Sequence, residues 1–229
     1  MVVSPPEYLT RSVEDYLKAI YHLSLDGQAA TTSRIAEHLE LSAPSVSGMV
    51  KRLSEQGLLE HEPYKGVVLT AEGRRIALRM LRRHRVIETY LVAFLGYSWD
   101  DVHDEAERLE HAVSDTLVDR MAHALGNPRF DPHGDPIPTP DGSIEELVYT
   151  RLADIASGTD AVIRRVDLHQ PDRLRYLATL GLTPGSPITV VERQPFNGPI
   201  TLASQGQRHV IGHDIALHVM CDAVETTPE

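Results

Sequence analysis

The chain has little sulfur and no long apolar run. Its 229 residues include a single cysteine, Cys221, so neither an intrachain disulfide nor a multi-thiolate zinc site can form within one chain. No apolar run is long enough to span a bilayer, and the amino terminus lacks a basic stretch followed by an apolar core. We therefore expect a cytoplasmic protein with no membrane partner, in which any metal site uses oxygen and nitrogen donors.

Several enzyme motifs are also missing. The sequence contains no His-Glu-x-x-His motif, no glycine-rich phosphate loop and no Gly-x-Ser-x-Gly elbow. Spacing alone leaves a hydrolytic carboxylate pair open, but no further pattern supports one. We predict that the chain is not an enzyme and has no small organic substrate.

Charge is distributed unevenly along the chain. The formal net charge is −11, yet residues 1–85 carry 12 basic and 10 acidic side chains, whereas residues 86–229 carry 10 and 23. Binding to a phosphate backbone requires clustered Lys and Arg. The weakly basic amino-terminal part is therefore the better candidate for a nucleic-acid contact.

The amino-terminal part has the pattern of a winged helix. A first amphipathic helix is predicted from about Ser12 to Leu25, and a short second helix has Thr32 as its cap. Ser42 is predicted to cap a third helix, and Pro44 in its first turn is tolerated because its missing N–H needs no partner. Two strand-like runs follow, separated by Pro63-Tyr64-Lys65-Gly66, which predicts a hairpin with a basic tip.

The remainder is mainly helical and ends in a β module. Thr70 caps a long helix that ends near Gly96, and a helix pair with a break at Ser114 follows. The pair offers apolar surface for a bundle or a dimer contact: Leu109, Val113, Leu117, Val118 and Met121. Residues 126–142 are too rich in proline and glycine to be helical. Beyond about Asp160, short β runs and one helix near Asp172–Leu180 predict a small β-barrel.

Two groups of His and Glu residues have helical spacing. His103, Glu107, Glu110 and His111 are placed by their spacing on one face of a predicted helix, and His84 and Glu88 are one turn apart on another. Either group alone is typical of a solvated helix face, but two such helices packed together would converge on a metal. Asp15 fits a different role, because with Ser12 as N-cap it would stabilise the start of the first helix.

The order of these motifs resembles the diphtheria toxin repressor family. The resemblance rests on the winged helix, Arg-Arg-His84-Arg-Val-Ile-Glu88, the segment from Val102 to His111, Asp-Pro-His-Gly-Asp-Pro-Ile-Pro and the final β module. It implies a mainly α protein with a small β domain. The implied domains are a winged helix-turn-helix at 1–73, a helical metal-binding and dimerisation domain at 74–141, a linker at 142–159 and an SH3-like, FeoA-type domain at 160–226.

The resemblance also implies a function and a ligand set. It implies a homodimeric, metal-dependent transcriptional repressor of metal homeostasis genes that binds double-stranded operator DNA. Its implied primary metal site comprises Asp15, Glu107, Glu110 and His111. Its implied ancillary site comprises His84, Glu88 and His103. Further metal ligands are suggested by the position of His169, Gln170 and Asp172, although these residues also suit the start of the short helix.

The two branches of the family differ at the positions of Asp15 and Glu107. In the iron-responsive branch these two positions are Met and Cys, whereas in the manganese-responsive branch they are Asp and Glu, as in this chain. Mn²⁺ is low in the Irving–Williams order, so a site for it must avoid soft sulfur donors. We predict Mn²⁺ as the favoured metal, with Fe²⁺, Co²⁺ or Zn²⁺ as substitutes. Lys18 stands where the manganese branch can supply a further carboxylate. Its presence favours two separate metal sites over a closely bridged two-metal cluster.

Candidate DNA contacts lie on the third helix and the hairpin. We predict that the bases are contacted by Ser42, Pro44, Ser45 and Ser47 at the start of the recognition helix. Phosphate contacts are predicted for Lys51, Arg52 and Lys65. Three alternatives stay open from sequence: an Fe²⁺-responsive repressor, a metal-dependent enzyme with an accessory winged helix, and a winged-helix interaction module whose His and Glu residues are inert.

Overall fold

The computed structural model describes residues 10–25, 27–62, 65–168 and 170–223. The chain divides into two compact units. One comprises the residues up to His84 together with Pro138–Ile144, and the other comprises Arg85–Ile137 together with the residues from Glu145 onward. In the described parts, no helix is both long and apolar enough to cross a membrane.

The first unit has the helix and hairpin order of a winged helix. Its elements are α1 (Arg11–Leu23), α2 (Thr32–His38), α3 (Ala43–Glu55), β1 (Leu59–Glu62), β2 (Gly66–Leu69) and the first part of α4 (Ala71–Leu95). The strands β1 and β2 pair antiparallel. One apolar core, which includes Leu17, Ile35 and Leu53, joins the three short helices to the hairpin and to α4. This core holds α3 with its opposite face in solvent.

Local capping explains where these helices begin. The N-cap of α1 is Thr10, so the prediction of Ser12 as N-cap is wrong, and Asp15 does not occupy the third position of a capping box. The N-cap of α2 is Thr31 rather than Thr32, because the Thr31 hydroxyl accepts from the Arg34 N–H. The prediction of Ser42 as the cap of α3 is confirmed, since its hydroxyl accepts from the N–H of Ser45.

The second unit continues α4 and adds a helix pair and a β domain. The pair is α5 (Val102–Leu109) and α6 (Asp115–Ala124), with Ser114 as the N-cap of α6. Residues 126–142 contain neither helix nor ladder strand, as predicted. Val118 is buried and Leu109, Val113 and Met121 are partly buried in the helical cores, which leaves Leu117 exposed.

The β domain is a six-stranded antiparallel sheet with order β3-β8-β4-β5-β6-β7. Its elements are β3 (Thr150–Arg151), β4 (Asp160–Val166), α7 (Pro171–Thr179), β5 (Pro187–Arg193), β6 (Ile200–Ser204), β7 (Gln207–Ile211), α8 (His213–Ala216) and β8 (Val219–Ala223). The predicted fold class, mainly α with a small β domain, is confirmed. However, the sheet begins inside the predicted linker, because β3 pairs with β8. The short helix α8 ends at Ala216, and the last strand, β8, begins at Val219. The other predicted domain limits stay predictions.

Candidate metal centre

The first candidate group lies at the end of α5 in the second unit. One donor atom from each of Glu107, Glu110 and His111 lies within 4.8 Å of the others. The helix α5 ends at Leu109, so the expectation of one continuous helical face is wrong: His103 and Glu107 are helical, whereas Glu110 and His111 form the turn that follows. This turn brings His111 Nε2 to 3.5 Å from Glu110 Oε1.

The group has the character of a cation site. The Glu110 side chain is fully buried and that of His111 is 9% exposed, with Glu107 half-buried beside them. Two carboxylates this close repel each other when both are ionised, and a divalent cation converts that repulsion into attraction. The donors are oxygen and nitrogen only, which fits a hard metal ion.

Asp15, the fourth predicted primary ligand, belongs to the first unit. It lies one turn after the start of α1 and is half-buried, and its Oδ2 is 4.0 Å from Nε of Arg11. Its membership of the primary site stays a prediction.

The second candidate group is centred on Glu88 of α4. The Glu88 side chain is 2% exposed, and its Oε1 lies 3.2 Å from His103 Nδ1 on α5. His84 is a buried residue one turn before Glu88 in α4. Of the three predicted ancillary ligands, the second unit thus brings Glu88 and His103 together.

Glu88 has two further neighbours that the sequence did not predict. Donor atoms of Glu88, Asp131 and His133 lie within 4.8 Å of one another, and all three residues are buried. His133 Nδ1 is 3.6 Å from Glu88 Oε2. Asp131 and His133 lie in the Asp-Pro-His-Gly-Asp-Pro-Ile-Pro segment, which carries part of the family resemblance but for whose side chains no role was predicted. The segment is irregular, so helical spacing could not place them opposite α4.

The electrostatics of this group show crowded negative charge. Burial, followed by the charges of Asp135 and Glu88, raises the pKa of Asp131 to about 7. Burial lowers the pKa of His133, but its hydrogen bond with Glu88 and the charges of Glu88 and Asp131 outweigh this and raise it to about 9. Arg85 Nε supplies a counter-charge 3.6 Å from Asp131 Oδ2. A proton on His133 therefore partly neutralises the negative charge of Glu88 and Asp131, as a bound metal ion would.

The loop that carries His133 is tied to the β domain. The His133 carbonyl accepts from the N–H of Val166 on β4 at 2.9 Å. Gly134 has φ +86, and a Cβ there would overlap the Arg164 carbonyl oxygen, so only glycine permits this close approach. Asp135 adds an ion pair with Arg165, with Oδ1 3.1 Å from Nε. Strand β4 thus fixes the chain at His133 and at the two residues that follow it.

The additional ligands suggested in the β domain have other surroundings. Gln170 is the N-cap residue of α7, and Asp172, 96% exposed, lies 3.2 Å from Arg175 within the same helix. Asp172 belongs to none of the described groups of potential ligands. His169 lies outside the described residues. Cys221 is buried, which raises the pKa of its thiol to about 12 and keeps it uncharged.

The predicted DNA contacts all lie in the first unit and are exposed: Ser42, Pro44, Ser45, Ser47, Lys51, Arg52 and Lys65. Several already have partners within the unit. Ser45 hydrogen-bonds Tyr16, which partly offsets the rise that burial causes in the Tyr16 pKa, and the Ser47 hydroxyl donates to the Ala43 carbonyl. Lys51 and Lys65 pair with glutamates at 3.9 and 3.5 Å. These exposed pairs are weak and exchange readily with phosphates.

Known families match the chain in three consecutive parts. Residues 8–67 match "Iron dependent repressor, N-terminal DNA binding domain", residues 70–139 match "Iron dependent repressor, metal binding and dimerisation domain", and residues 150–223 match "FeoA domain". The iron-dependent repressor IdeR of Mycobacterium leprae is 33% identical over 94% of this chain and 99% of its own length. The diphtheria toxin repressor of Corynebacterium diphtheriae is 33% identical over 91% and 95%.

Solved structures give the same likeness. A manganese-dependent transcriptional repressor in complex with manganese has a TM-score of 0.84 and 39% identity, covering 93% of this chain and all of that one. The manganese regulator SloR has a TM-score of 0.75 and 33% identity, covering 93% and 99%. Thus relatives with iron-dependent and with manganese-dependent names share this architecture.

Proposed function

Because the chain belongs to the diphtheria toxin repressor family, whose members are DNA-binding transcriptional repressors and not enzymes, we propose that it represses metal homeostasis genes in response to Mn²⁺. In this proposal the metal-loaded protein binds double-stranded operator DNA as a homodimer.

The observation that carries the metal assignment is the donor set of Glu107, Glu110 and His111. It converges on one point, contains no sulfur and includes a fully buried carboxylate. A site for Mn²⁺ cannot rely on affinity alone, since Fe²⁺, Co²⁺ and Zn²⁺ bind most nitrogen and oxygen sites more tightly. Hard carboxylate oxygens reduce that disadvantage, and the uncharged Cys221 thiol offers no soft alternative.

Asp15 is the proposed link between metal and DNA binding. The family resemblance implies that it joins Glu107, Glu110 and His111 in the primary site. Asp15 lies on α1 of the DNA-binding unit, whereas the other three lie in the second unit. A shared cation, when bound, supplies positive charge to both units and stabilises one orientation of the winged helix, and this difference in affinity is the coupling free energy.

A second metal is proposed at Glu88. The resemblance implies His84 and His103 as its partners, and the buried pair Asp131 and His133 offers a second set around the same carboxylate. Because Glu88 belongs to both ligand sets, its replacement should abolish metal binding at this site with either set of partners. The second metal would then be bound between α4, α5 and the loop that carries His133.

DNA binding is assigned to α3 and the hairpin. The exposed hydroxyls of Ser42 and Ser47 lie near the amino terminus of α3, the end that contacts bases in helix-turn-helix proteins. Lys51, Arg52 and Lys65 would contact phosphates. Dimerisation is supported by large exposed apolar side chains near the end of α4 and on α6, namely Phe94, Leu95 and Leu117.

One experiment tests the proposal. An operator fragment is titrated with the protein in the presence of Mn²⁺, Fe²⁺, Co²⁺ or Zn²⁺ at fixed ionic strength. We expect Mn²⁺ to promote tight operator binding at a lower free concentration than its place in the Irving–Williams order predicts. After chelation we expect no operator binding. The second candidate, an Fe²⁺-responsive repressor, is favoured by the names of the IdeR relatives. A response to Fe²⁺ without a response to Mn²⁺ would establish it instead.

A further inference from the structure

A short loop between α4 and α5 connects the β domain with the metal group around Glu88. We call residues 98–101 the Trp99 loop. The Trp99 side chain packs against the apolar core of the β domain, while its carbonyl oxygen accepts from His133 Nε2 at 2.7 Å. The two rings also stack, with centroids 5.7 Å apart and planes 27° from parallel. The loop therefore sets the position of the His133 ring.

Arg175 of α7 fixes the next residue of the same loop. Its Nε and Nη2 atoms lie 3.0 and 2.9 Å from Oδ2 of Asp100, which is 8% exposed. Arg175 also approaches Asp101 at 3.4 Å and Asp172 at 3.2 Å, but both of these carboxylates are exposed. Exposed ion pairs contribute little to the stability of a fold, whereas a buried carboxylate that loses its cationic partner strongly destabilises the fold around it. Of the three contacts, the one with Asp100 is therefore the contact that stabilises the Trp99 loop.

We propose that Arg175 is a positioning residue for the metal group around Glu88, acting from the β domain through Asp100, Trp99 and His133. The contacts run without a gap, from Arg175 to Asp100, along the backbone to Trp99, across to His133 Nε2, and from His133 Nδ1 to Glu88 Oε2 at 3.6 Å. The inference rests on the proposed metal binding. It does not depend on which partners complete the site, because Glu88 belongs to both sets.

The arrangement assigns the β domain a defined part in metal binding without requiring a ligand from α7. The His133 backbone is held by β4 and its ring by the Trp99 loop, and both are attached to the β domain. Partners that orient a ligand from outside commonly change metal affinity by roughly 10- to 100-fold when removed. Loss of Arg175 lets Asp100 leave its buried position, and the Trp99 carbonyl then no longer fixes the tautomer and angle of His133.

The test compares Arg175→Ala with a matched control on the same helix. Arg173→Ala removes an equal charge two residues away, where Arg173 pairs with the exposed Asp214 at 3.6 Å. Mn²⁺ binding is followed by calorimetry, with Glu88→Gln identifying the event that belongs to this group. We expect Arg175→Ala to weaken that event by roughly tenfold and to leave the other event within about twofold. Arg173→Ala changes neither, and Arg175→Lys restores part of the affinity because it keeps a cation at Asp100.

Trp99 supplies an independent reading, since it is the only tryptophan of the chain. In the metal-free protein, acrylamide should quench its fluorescence more strongly in Arg175→Ala than in Arg173→Ala. The Mn²⁺ electron paramagnetic resonance spectrum of the weakened site should also change, which a general loss of stability would not produce. If Arg175→Ala does not fold, Arg175→Lys and Asp100→Asn carry the same comparison.

A double mutant tests the route. If Arg175 acts through Asp100, Arg175→Ala adds little to the effect of Asp100→Asn on Mn²⁺ affinity, whereas independent effects would add. Additive effects overturn the route, and equal Mn²⁺ affinities in Arg175→Ala, Arg173→Ala and the unmutated protein overturn the inference while the proposed function stands. An unmutated protein that binds no Mn²⁺ rejects the proposed function and this inference with it.

Discussion

His133 Nε2 lies 2.7 Å from the carbonyl oxygen of Trp99. Because a carbonyl oxygen only accepts, Nε2 carries a hydrogen, and Nδ1 is the atom that faces Glu88. The neighbouring carboxylates raise the pKa of His133 to about 9 against the effect of burial. At neutral pH the metal-free protein therefore holds a proton at Nδ1, where a cation would otherwise lie.

Metal binding at Glu88 with His133 as partner should release that proton. Since the metal-free pKa is about 9, the apparent Mn²⁺ affinity of this site should rise with pH up to about 9, by up to about tenfold per pH unit for one proton displaced. Calorimetry at pH 7 in two buffers of different ionisation enthalpy counts the protons. His133→Gln should remove about one of them. An unchanged count would leave His84 and His103 as the partners of Glu88.

Glu110 should contribute to stability mainly through the metal. A ligand at 100 times its Kd stabilises a folded protein by about 2.7 kcal/mol, and Glu110→Gln should lose most of that increment because it removes a buried anionic donor. Thermal unfolding with and without Mn²⁺ measures it. Glu105→Gln is the control: Glu105 lies on α5, just before the turn that carries Glu110, and pairs with Arg108, so this variant should keep the full increment. Equal increments in both variants would argue against Glu110 as a ligand.

Metal selectivity should follow the donor atoms at two positions. Replacing Glu107 by Cys and Asp15 by Met introduces soft sulfur, which favours Fe²⁺ and Co²⁺ over Mn²⁺. Operator binding titrated with each metal at fixed ionic strength measures the change. The control combines Asp15→Met with Glu105→Cys, which places the thiol two residues away from Glu107. Unchanged selectivity in the first double mutant would show that the primary ligands are assigned wrongly.

These positions also show what the sequence could predict and what it could not. Helical periodicity and turn residues located the winged helix, the long α4 and most strands, because local patterns determine those elements. The end of α5 at Leu109 was not predicted, since Glu110 and His111 continue a helical pattern that the chain leaves to form a turn. Asp131 and His133 were not predicted because an irregular loop brings them to Glu88 from more than forty residues away. Only tertiary structure, fixed by β4, supplies that proximity.

Lys51 should act on DNA affinity without regard to base sequence. Removing one protein–phosphate interaction reduces the slope of log affinity against log salt by roughly one unit. Lys51→Ala should therefore weaken operator and random DNA similarly and flatten the slope by about one. Arg208→Ala in β7 removes an exposed charge of the β domain and should leave the slope unchanged. The same slope for Lys51→Ala and the unmutated protein would remove Lys51 from the interface.

Gly134 should tolerate no side chain. Alanine there would combine a positive φ with a Cβ that overlaps the Arg164 carbonyl oxygen, so Gly134→Ala should cost more than about 1 kcal/mol of stability and should weaken Mn²⁺ binding at Glu88. Gly126→Ala isolates the backbone effect, since Gly126 has φ +77 but no atom within 4 Å of the added Cβ. Urea unfolding and calorimetry compare the two. Equal losses would mean that contact with β4 is not the cause.

The residues Pro138–Ile144 belong to the first unit although the chain on both sides of them belongs to the second. Arg82 donates to the Pro138 carbonyl, and Ile144 packs against the core of the winged helix. A fragment that stops at the end of the hairpin or within α4 would therefore lack part of its own core. The two halves of this regulator cannot be separated by one cleavage. A protease that cuts between residues 137 and 145 would damage the DNA-binding half rather than release it.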